Sequence, residues 1–166
     1  NVAYTVNPEG RVTRGGDRDA KDRHIEMLHH PVTIVRATLA PGATITNLRQ
    51  QGNDDIVDVT TAQGETVTLA VNRATRLPSR VQSKAAHPNL GDVTITTAFE
   101  NYEDVSGIKL PARLVTTVED YPQLTIDVTR NEVNVDAAGL AAPDEVKAAA
   151  SPAPAAQNVT DEPVGK

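Results

Sequence analysis

The stretch that decides the fold runs from Asp92 to Val118 and reads DVTITTAFENYEDVSGIKLPARLVTTV. It predicts a strand, a turn at Ser106-Gly107 and a second strand entered through Leu110-Pro111. One face of the first strand carries Val93, Ile95, Thr97 and Phe99, and the other carries Thr94, Thr96 and Ala98. This alternation is typical of a sheet that buries one face and leaves the other in water.

The same two-residue period continues along the chain on both sides of this stretch. We predict strands over 44–50, 55–61, 66–72, 78–84, 92–100, 108–118 and 123–135. Gln63-Gly64 joins the second and third as a tight hairpin. In the last strand Leu124, Ile126 and Val128 are expected to point inward. Seven consecutive strands with short connections imply an antiparallel meander.

The region before these strands has helical spacing. Ala20, His24, Met27 and Leu28 recur at intervals of three and four residues, and Pro31 suits the first turn of a further helix. We predict a bent or broken helix over 19–40, ended by Pro41-Gly42, and a short strand over 2–6. The fold class is therefore mainly β (α+β): a strongly curved antiparallel sheet, or incomplete barrel, with a helix on its concave face.

Five residues are predicted to have structural roles. Phe99 is the only phenylalanine and belongs in the core. Tyr102 is expected to pack its ring and bond its hydroxyl to backbone. Gly107 is expected to need a positive φ, while Pro78 and Pro111 mark the starts of strands.

Composition excludes several classes of function. With 22 acidic and 16 basic residues the net charge is −6, which argues against a nucleic-acid partner. There is no cysteine, hence no disulfide and no thiolate zinc site. No apolar run approaches the ~20 residues of a membrane span.

The ionisable residues form no recognisable catalytic motif. His24, His29 and His30 are splayed on a helix, and joining His87 to them needs an unsupported loop contact, so a metal site is the minor alternative. Two carboxylate groups have the wrong spacing for a calcium loop and are predicted to be solvated: Asp54, Asp55 and Asp58, and Glu100, Glu103 and Asp104. We predict no catalytic, cofactor-binding or metal-binding residue in this chain.

Composition changes after Asp136. Residues 137–166 are rich in Ala and Pro, and Leu140 to Ala150 has at most a weak helical tendency. We predict a domain over 1–136 and a linker over 137–166 that leads to a further domain. Asn158-Val159-Thr160 fits a glycosylation sequon and is interpreted as chance.

Three segments resemble the LolA/LolB-like lipoprotein-carrier superfamily: VNRATRLPSRV over 71–81, Phe99-Glu100-Asn101-Tyr102, and Gly107-Ile108-Lys109-Leu110-Pro111. More closely, the stretch from His29-His30-Pro31 through Ala141-Ala142-Pro143 looks like the LolA-like region ahead of the catalytic domain in some secreted bacterial metallo-β-lactamase-fold hydrolases. The resemblance covers about residues 1–145. It implies export to the periplasm or beyond. The hydrolase motif His-x-His-x-Asp-His does not occur here, so zinc is expected only in a catalytic domain outside this chain.

Two functions follow from the resemblance. The first is a non-catalytic accessory domain of an exported hydrolase, which positions the catalytic domain, mediates dimer contacts or walls a substrate site. The alternative is a periplasmic binder or carrier of an apolar lipid or acyl ligand. In both cases the expected partners are limited: a catalytic domain of the same polypeptide, a second copy, or an apolar small molecule, with no nucleic acid.

Overall fold

The structure is a computed structural model, and it describes residues 2–87, 91–136, 141–150 and 152. The chain divides into two compact units. One comprises 1–23 and 137–166, and the other comprises 24–136. The elements of the candidate site lie in the second unit.

The second unit is built on one seven-stranded antiparallel sheet with the strands in sequence order. Its strands are β3 (Thr44–Gln51), β4 (Asp54–Thr60), β5 (Thr66–Asn72), β6 (Pro78–His87), β7 (Gly91–Val105), β8 (Ile108–Val118) and β9 (Tyr121–Asp127). β3 and β9 form the two edges, so among the described residues the sheet is not closed into a barrel. The predicted mainly β fold and antiparallel meander are confirmed.

Two hairpins show how local sequence fixes the register. Val57 pairs with Leu69, so β4 and β5 place their apolar side chains on the same face. Between β7 and β8, Ser106 and Gly107 have φ of 54° and 83°. Two successive positive φ values define the two-residue turn whose twist matches the flanking strands. The Gly107 N–H also donates to Asp104 Oδ1 at 2.8 Å.

The predicted broken helix is present as two helices, α1 (Asp17–Leu28) and α2 (Pro31–Thr38). His29 and His30 separate them, and Pro31 begins α2, where its missing N–H costs no helical hydrogen bond. Gly42, with φ of 89°, lies in the turn that leads to β3. The helices bury Leu28 and Ile34 in one apolar core with strand residues of the sheet: Val59, Val67, Leu69, Val81 and Phe99.

Some predicted strand limits and orientations are wrong. β7 continues to Val105 instead of ending at 100, and β9 ends at Asp127 instead of 135. Residues 128–136 belong to no strand, and Asn134 among them has φ of 58°, outside the extended region. Leu124 and Ile126 lie opposite Thr116 and Leu114, yet they remain 54% and 44% exposed. Leu124 and Ile126 alternate along β9 as predicted, but their side chains are not buried.

The first unit contains a small hairpin and a short helix. β1 (Tyr4–Val6) pairs antiparallel with β2 (Val12–Arg14). α3 (Asp144–Ala148) is the short helix, and it buries Val146. The Arg14 guanidinium donates to the carbonyl of Val146 at 3.2 Å and also to the carbonyl of Ala149. A helical turn therefore interrupts the segment predicted as a linker; Leu140 and the sequon at 158–160 lie outside the described residues.

Candidate functional site

The most unusual polar group in the second unit is His29. Its Nδ1 lies 2.9 Å from Thr97 Oγ1 and its Nε2 lies 2.9 Å from Ser83 Oγ. Thr97 Oγ1 is in turn 2.9 Å from Thr116 Oγ1, so the contacts link the helix junction to β6, β7 and β8. Burial lowers the pKa of His29 to about 4. At neutral pH the ring is therefore uncharged, donating one hydrogen bond and accepting the other.

A serine hydroxyl beside an imidazole is also the geometry of a nucleophile and its base. Here the second ring nitrogen meets the neutral Thr97 hydroxyl, where a hydrolytic triad would place a carboxylate. Ser83 and Thr97 are both buried, so a substrate has no route to the hydroxyl. The cluster of His29, Ser83, Thr97 and Thr116 is therefore a satisfied polar network that fastens the helices to the sheet.

His24 belongs to a different cluster. Its Nδ1 lies 2.8 Å from Glu65 Oε1, and the Thr61 hydroxyl donates to the other oxygen of the same carboxylate. Burial raises the pKa of Glu65, but the hydrogen bonds from Thr61 and His24 outweigh it and leave the pKa below its ordinary value. The contacts of Glu65 with Thr61 and His24 therefore attach the turn between β4 and β5 to α1.

The predicted histidines thus do not converge on one point. His30 is at the N-cap of α2 without a side-chain capping bond, and burial lowers its pKa. His87 ends β6, and its side chain lies outside the described residues. Over the part of the chain that the structure describes, there is no group of three or more His, Asp or Glu side chains placed to hold a metal ion.

The carboxylates singled out in the sequence lie on exposed or half-buried polar surface. Asp58 is held by hydrogen bonds from Asn47, Arg49 and Thr68, which keep its pKa low. Asp104 is bonded to the Gly107 N–H and to Lys109. The remaining four are distributed as follows: Asp54 pairs with Arg80 at 2.6 Å, Asp55 accepts from Gln50, Glu100 lies 3.8 Å from Arg113, and Glu103 is exposed on β7.

An open groove of ≈ 550 Å³ lies on the sheet face opposite the helices. Its lining is polar, with Arg80, Asp54, Gln82 and Thr96 among the residues. Arg80 is already bound to Asp54 and donates to Gln51 Oε1 at 3.2 Å. Every residue that lines the groove is polar, charged or glycine, so the groove has no apolar wall for an acyl chain.

Tyr102 combines a half-buried ring with a satisfied hydroxyl. The ring packs against the core, and the hydroxyl donates to the Pro78 carbonyl on β6 at 2.9 Å. Burial raises the pKa of the phenol. Pro111 is buried directly opposite Tyr102 on β8, and Pro78 begins β6 at a register shift in the pairing with β5. The hydroxyl bond thus ties β7 to the start of β6.

Replacing Tyr102 by phenylalanine is expected to lower the free energy of unfolding by about 0.5–1.5 kcal/mol, because it removes one hydrogen bond and keeps the ring. Tyr121→Phe is the matched control, since Tyr121 is exposed and its change should be close to zero. Chemical denaturation of both variants measures the difference. Equal stabilities would contradict a role for the Tyr102–Pro78 bond.

Helix α2 exposes apolar side chains on its outer side. Ile34 is 0% exposed and faces the sheet, while Leu39, at the C-cap, is 77% exposed. Val32 and Val35 are partly exposed and share one side of the helix with Leu39, at spacings of three and four residues. We call Val32, Val35 and Leu39 the α2 stripe.

Comparisons with known proteins give no relative: neither a family model, a curated protein sequence nor a solved structure matches this chain. In the described part of the chain no helix has the length and apolarity needed to cross a membrane.

Proposed function

We propose that this chain is a non-catalytic accessory domain that docks onto a catalytic domain through the α2 stripe. The observation that carries the proposal is the division of α2 into two apolar sides. Ile34 is fully buried against the sheet, and the α2 stripe faces outward. A docking domain would bury such an outward apolar side against its partner.

The ionisable residues support a non-catalytic role. His29 is enclosed by the Ser83 and Thr97 hydroxyls, and His24 is engaged with Glu65. Each contact is accounted for by the packing of helices on the sheet. Fixed, internally satisfied groups of this kind stabilise an architecture, and a histidine held in this way is not free to act as an acid or a base.

The identity of the partner is part of the proposal and rests on the sequence resemblance. We infer an exported metallo-β-lactamase-fold hydrolase whose zinc ligands lie in the catalytic domain and whose position relative to substrate is set by this chain. Its location would be periplasmic or extracellular. The competing function, a carrier of acyl chains, is less well supported because Ile34 and Phe99 fill the space between helices and sheet.

A binding experiment with the separate catalytic domain tests the proposal. The encoded polypeptide is first checked for a His-x-His-x-Asp-His motif outside this chain, and the segment that contains it is produced separately. We expect it to bind the 166-residue chain, and Leu39→Asp to weaken binding at least tenfold, since a buried unpaired carboxylate is costly. Ile45→Asp is the control, because Ile45 is exposed at 53% but lies on β3.

Three results would overturn the proposal: absence of the motif, no binding, or equal weakening by both substitutions.

A fatty-acid displacement titration on the 166-residue chain addresses the alternative. Displacement of a fluorescent acyl probe at micromolar concentration, sensitive to substitutions in the sheet core and not to Leu39→Asp, would favour the carrier.

A further inference from the structure

Helix α2 carries one charged residue, Arg36, and this residue lies on the same side as the α2 stripe. Arg36 and Val32 are each two residues from Ile34, and two residues turn an α-helix by about 200°. Both side chains therefore leave α2 on the side opposite the buried Ile34. Leu39 is three residues beyond Arg36, so the two are neighbours along the helix surface.

Arg36 has no partner within the described part of the chain. Its side chain is exposed, and it forms neither an ion pair nor a hydrogen bond with a described residue. No Asp or Glu occurs between Glu26 and Asp54, so α2 and β3 offer it no carboxylate. Arg49 and Arg80, in contrast, each pair with an aspartate of another strand.

The place of Arg36 within an apolar surface matters once that surface is covered. In the free chain the guanidinium is hydrated, and its aliphatic stem adds to the apolar side formed by Val32 and Leu39. A partner that covers the α2 stripe removes this water, and a buried charge without a counter-charge is strongly unfavourable. The favourable position of a cation in the last turn of α2 offsets only a small part of that loss. Docking therefore requires a counter-charge on the partner.

We propose that the partner surface which covers the α2 stripe presents an Asp or Glu carboxylate to Arg36, surrounded by apolar side chains. This inference rests on the proposed function, because it assigns the chemistry of the partner at the same docking surface. A carboxylate matches the planar fork of a guanidinium with two parallel hydrogen bonds and neutralises its charge. A neutral carbonyl oxygen accepts hydrogen bonds but leaves the charge uncompensated. Arginine is also enriched at the centres of interfaces, where most other charged residues are depleted.

The net charge of the chain determines which rate this pair controls. At −6 the chain repels an acidic surface at long range, so we do not expect the pair to speed the encounter. Its attraction acts at short range, once the α2 stripe is covered. A desolvated charge pair of this kind mainly slows dissociation.

Surface plasmon resonance between the 166-residue chain and the separately produced catalytic domain tests the proposal. Arg36→Gln removes the charge, and we expect the dissociation rate to rise about tenfold or more while the association rate changes less than about threefold. Arg36→Lys keeps the charge without the fork and should fall between this variant and the unmodified chain. Arg76→Gln is the matched control, because Arg76 is exposed on the turn between β5 and β6. Its rates should equal those of the unmodified chain, and circular dichroism checks that all variants keep the fold.

Charge reversal then identifies the carboxylate. Arg36→Glu should weaken binding further than Arg36→Gln, because like charges then meet at a desolvated position. The surface Asp and Glu residues of the catalytic domain are replaced one at a time by Arg. One replacement should restore binding to Arg36→Glu and weaken binding to the unmodified chain.

The possible outcomes separate this inference from the proposed function. If the catalytic domain binds and Leu39→Asp weakens binding, but Arg36→Gln dissociates at the unmodified rate, the carboxylate is refuted and the docking function stands. Equal effects of Arg36→Gln and Arg76→Gln, or a reversal series in which no replacement restores binding, would also refute it. If the catalytic domain does not bind the chain at all, both proposals are wrong.

Discussion

Replacing Phe99 by alanine is expected to lower the free energy of unfolding by about 3–5 kcal/mol. Phe99 is 5% exposed and contacts the cluster that joins both helices to the sheet. It is the only phenylalanine in a chain without tryptophan, and the neighbouring core side chains are aliphatic. The one other ring that packs against this cluster, Tyr102, is held by its hydroxyl bond to the Pro78 carbonyl, so the cavity cost adds to the lost transfer free energy.

Urea unfolding followed by circular dichroism measures this effect. Tyr121→Ala is the matched control: it also removes an aromatic ring from the sheet, but from a side chain that is 74% exposed. It should change stability by no more than about 0.5 kcal/mol. A loss below 1 kcal/mol for Phe99→Ala would show that the core collapses around this position, and that the packing described above does not depend on the ring.

The architecture could be predicted because it depends on local signals. Alternation of apolar residues fixes which strands exist, and turn pairs such as Ser106-Gly107 fix how they connect. Proline at position 31 fixes where the helix breaks. Each of these signals acts within a few residues, and the antiparallel meander follows because every strand pairs with its neighbour in sequence.

The end of β9 could not be predicted in this way. Val133 and Val135 prolong the alternation, and the prediction therefore ran to residue 135. Whether a segment is a strand also depends on a partner and on backbone geometry, and Asn134 adopts a positive φ in the structure. Burial likewise depends on what covers a face. Leu124 and Ile126 have the right period, yet they lie on the edge strand and stay exposed.

The hydrogen bonds of His29 with Ser83 and Thr97 could not be predicted from the sequence either. Ser83 and Thr97 lie 54 and 68 residues from His29, and nothing local brings the three together. One signal was present: Thr97 occupies an inward position between Ile95 and Phe99. A hydroxyl on an otherwise apolar face requires a partner, and a histidine at the helix junction is the residue that supplies it here.

The second large effect concerns pH and the same histidine. The pKa of His29 falls from 6.5 to about 4 on folding because the ring is buried. Between these values the unfolded chain binds a proton that the folded chain does not, so the free energy of unfolding decreases as the pH falls. The expected loss attributable to His29 between pH 7 and pH 5 is about 2 kcal/mol. His30 contributes in the same direction, since burial lowers its pKa as well.

Urea titrations at several pH values, with His29→Gln beside the unmodified chain, isolate this contribution. Glutamine offers a donor and an acceptor to Ser83 and Thr97 but does not titrate. The variant should lose about 2 kcal/mol less than the unmodified chain between pH 7 and pH 5. Glu65 and Asp58 also have lowered pKa values, and the stability that these carboxylates contribute is lost only at lower pH. His30→Gln is the control, and its free energy of unfolding should still fall with pH by the amount attributed to His29. If the free energy of unfolding of His29→Gln falls with pH as steeply as that of the unmodified chain, His29 is protonated as readily in the folded state as in the unfolded state.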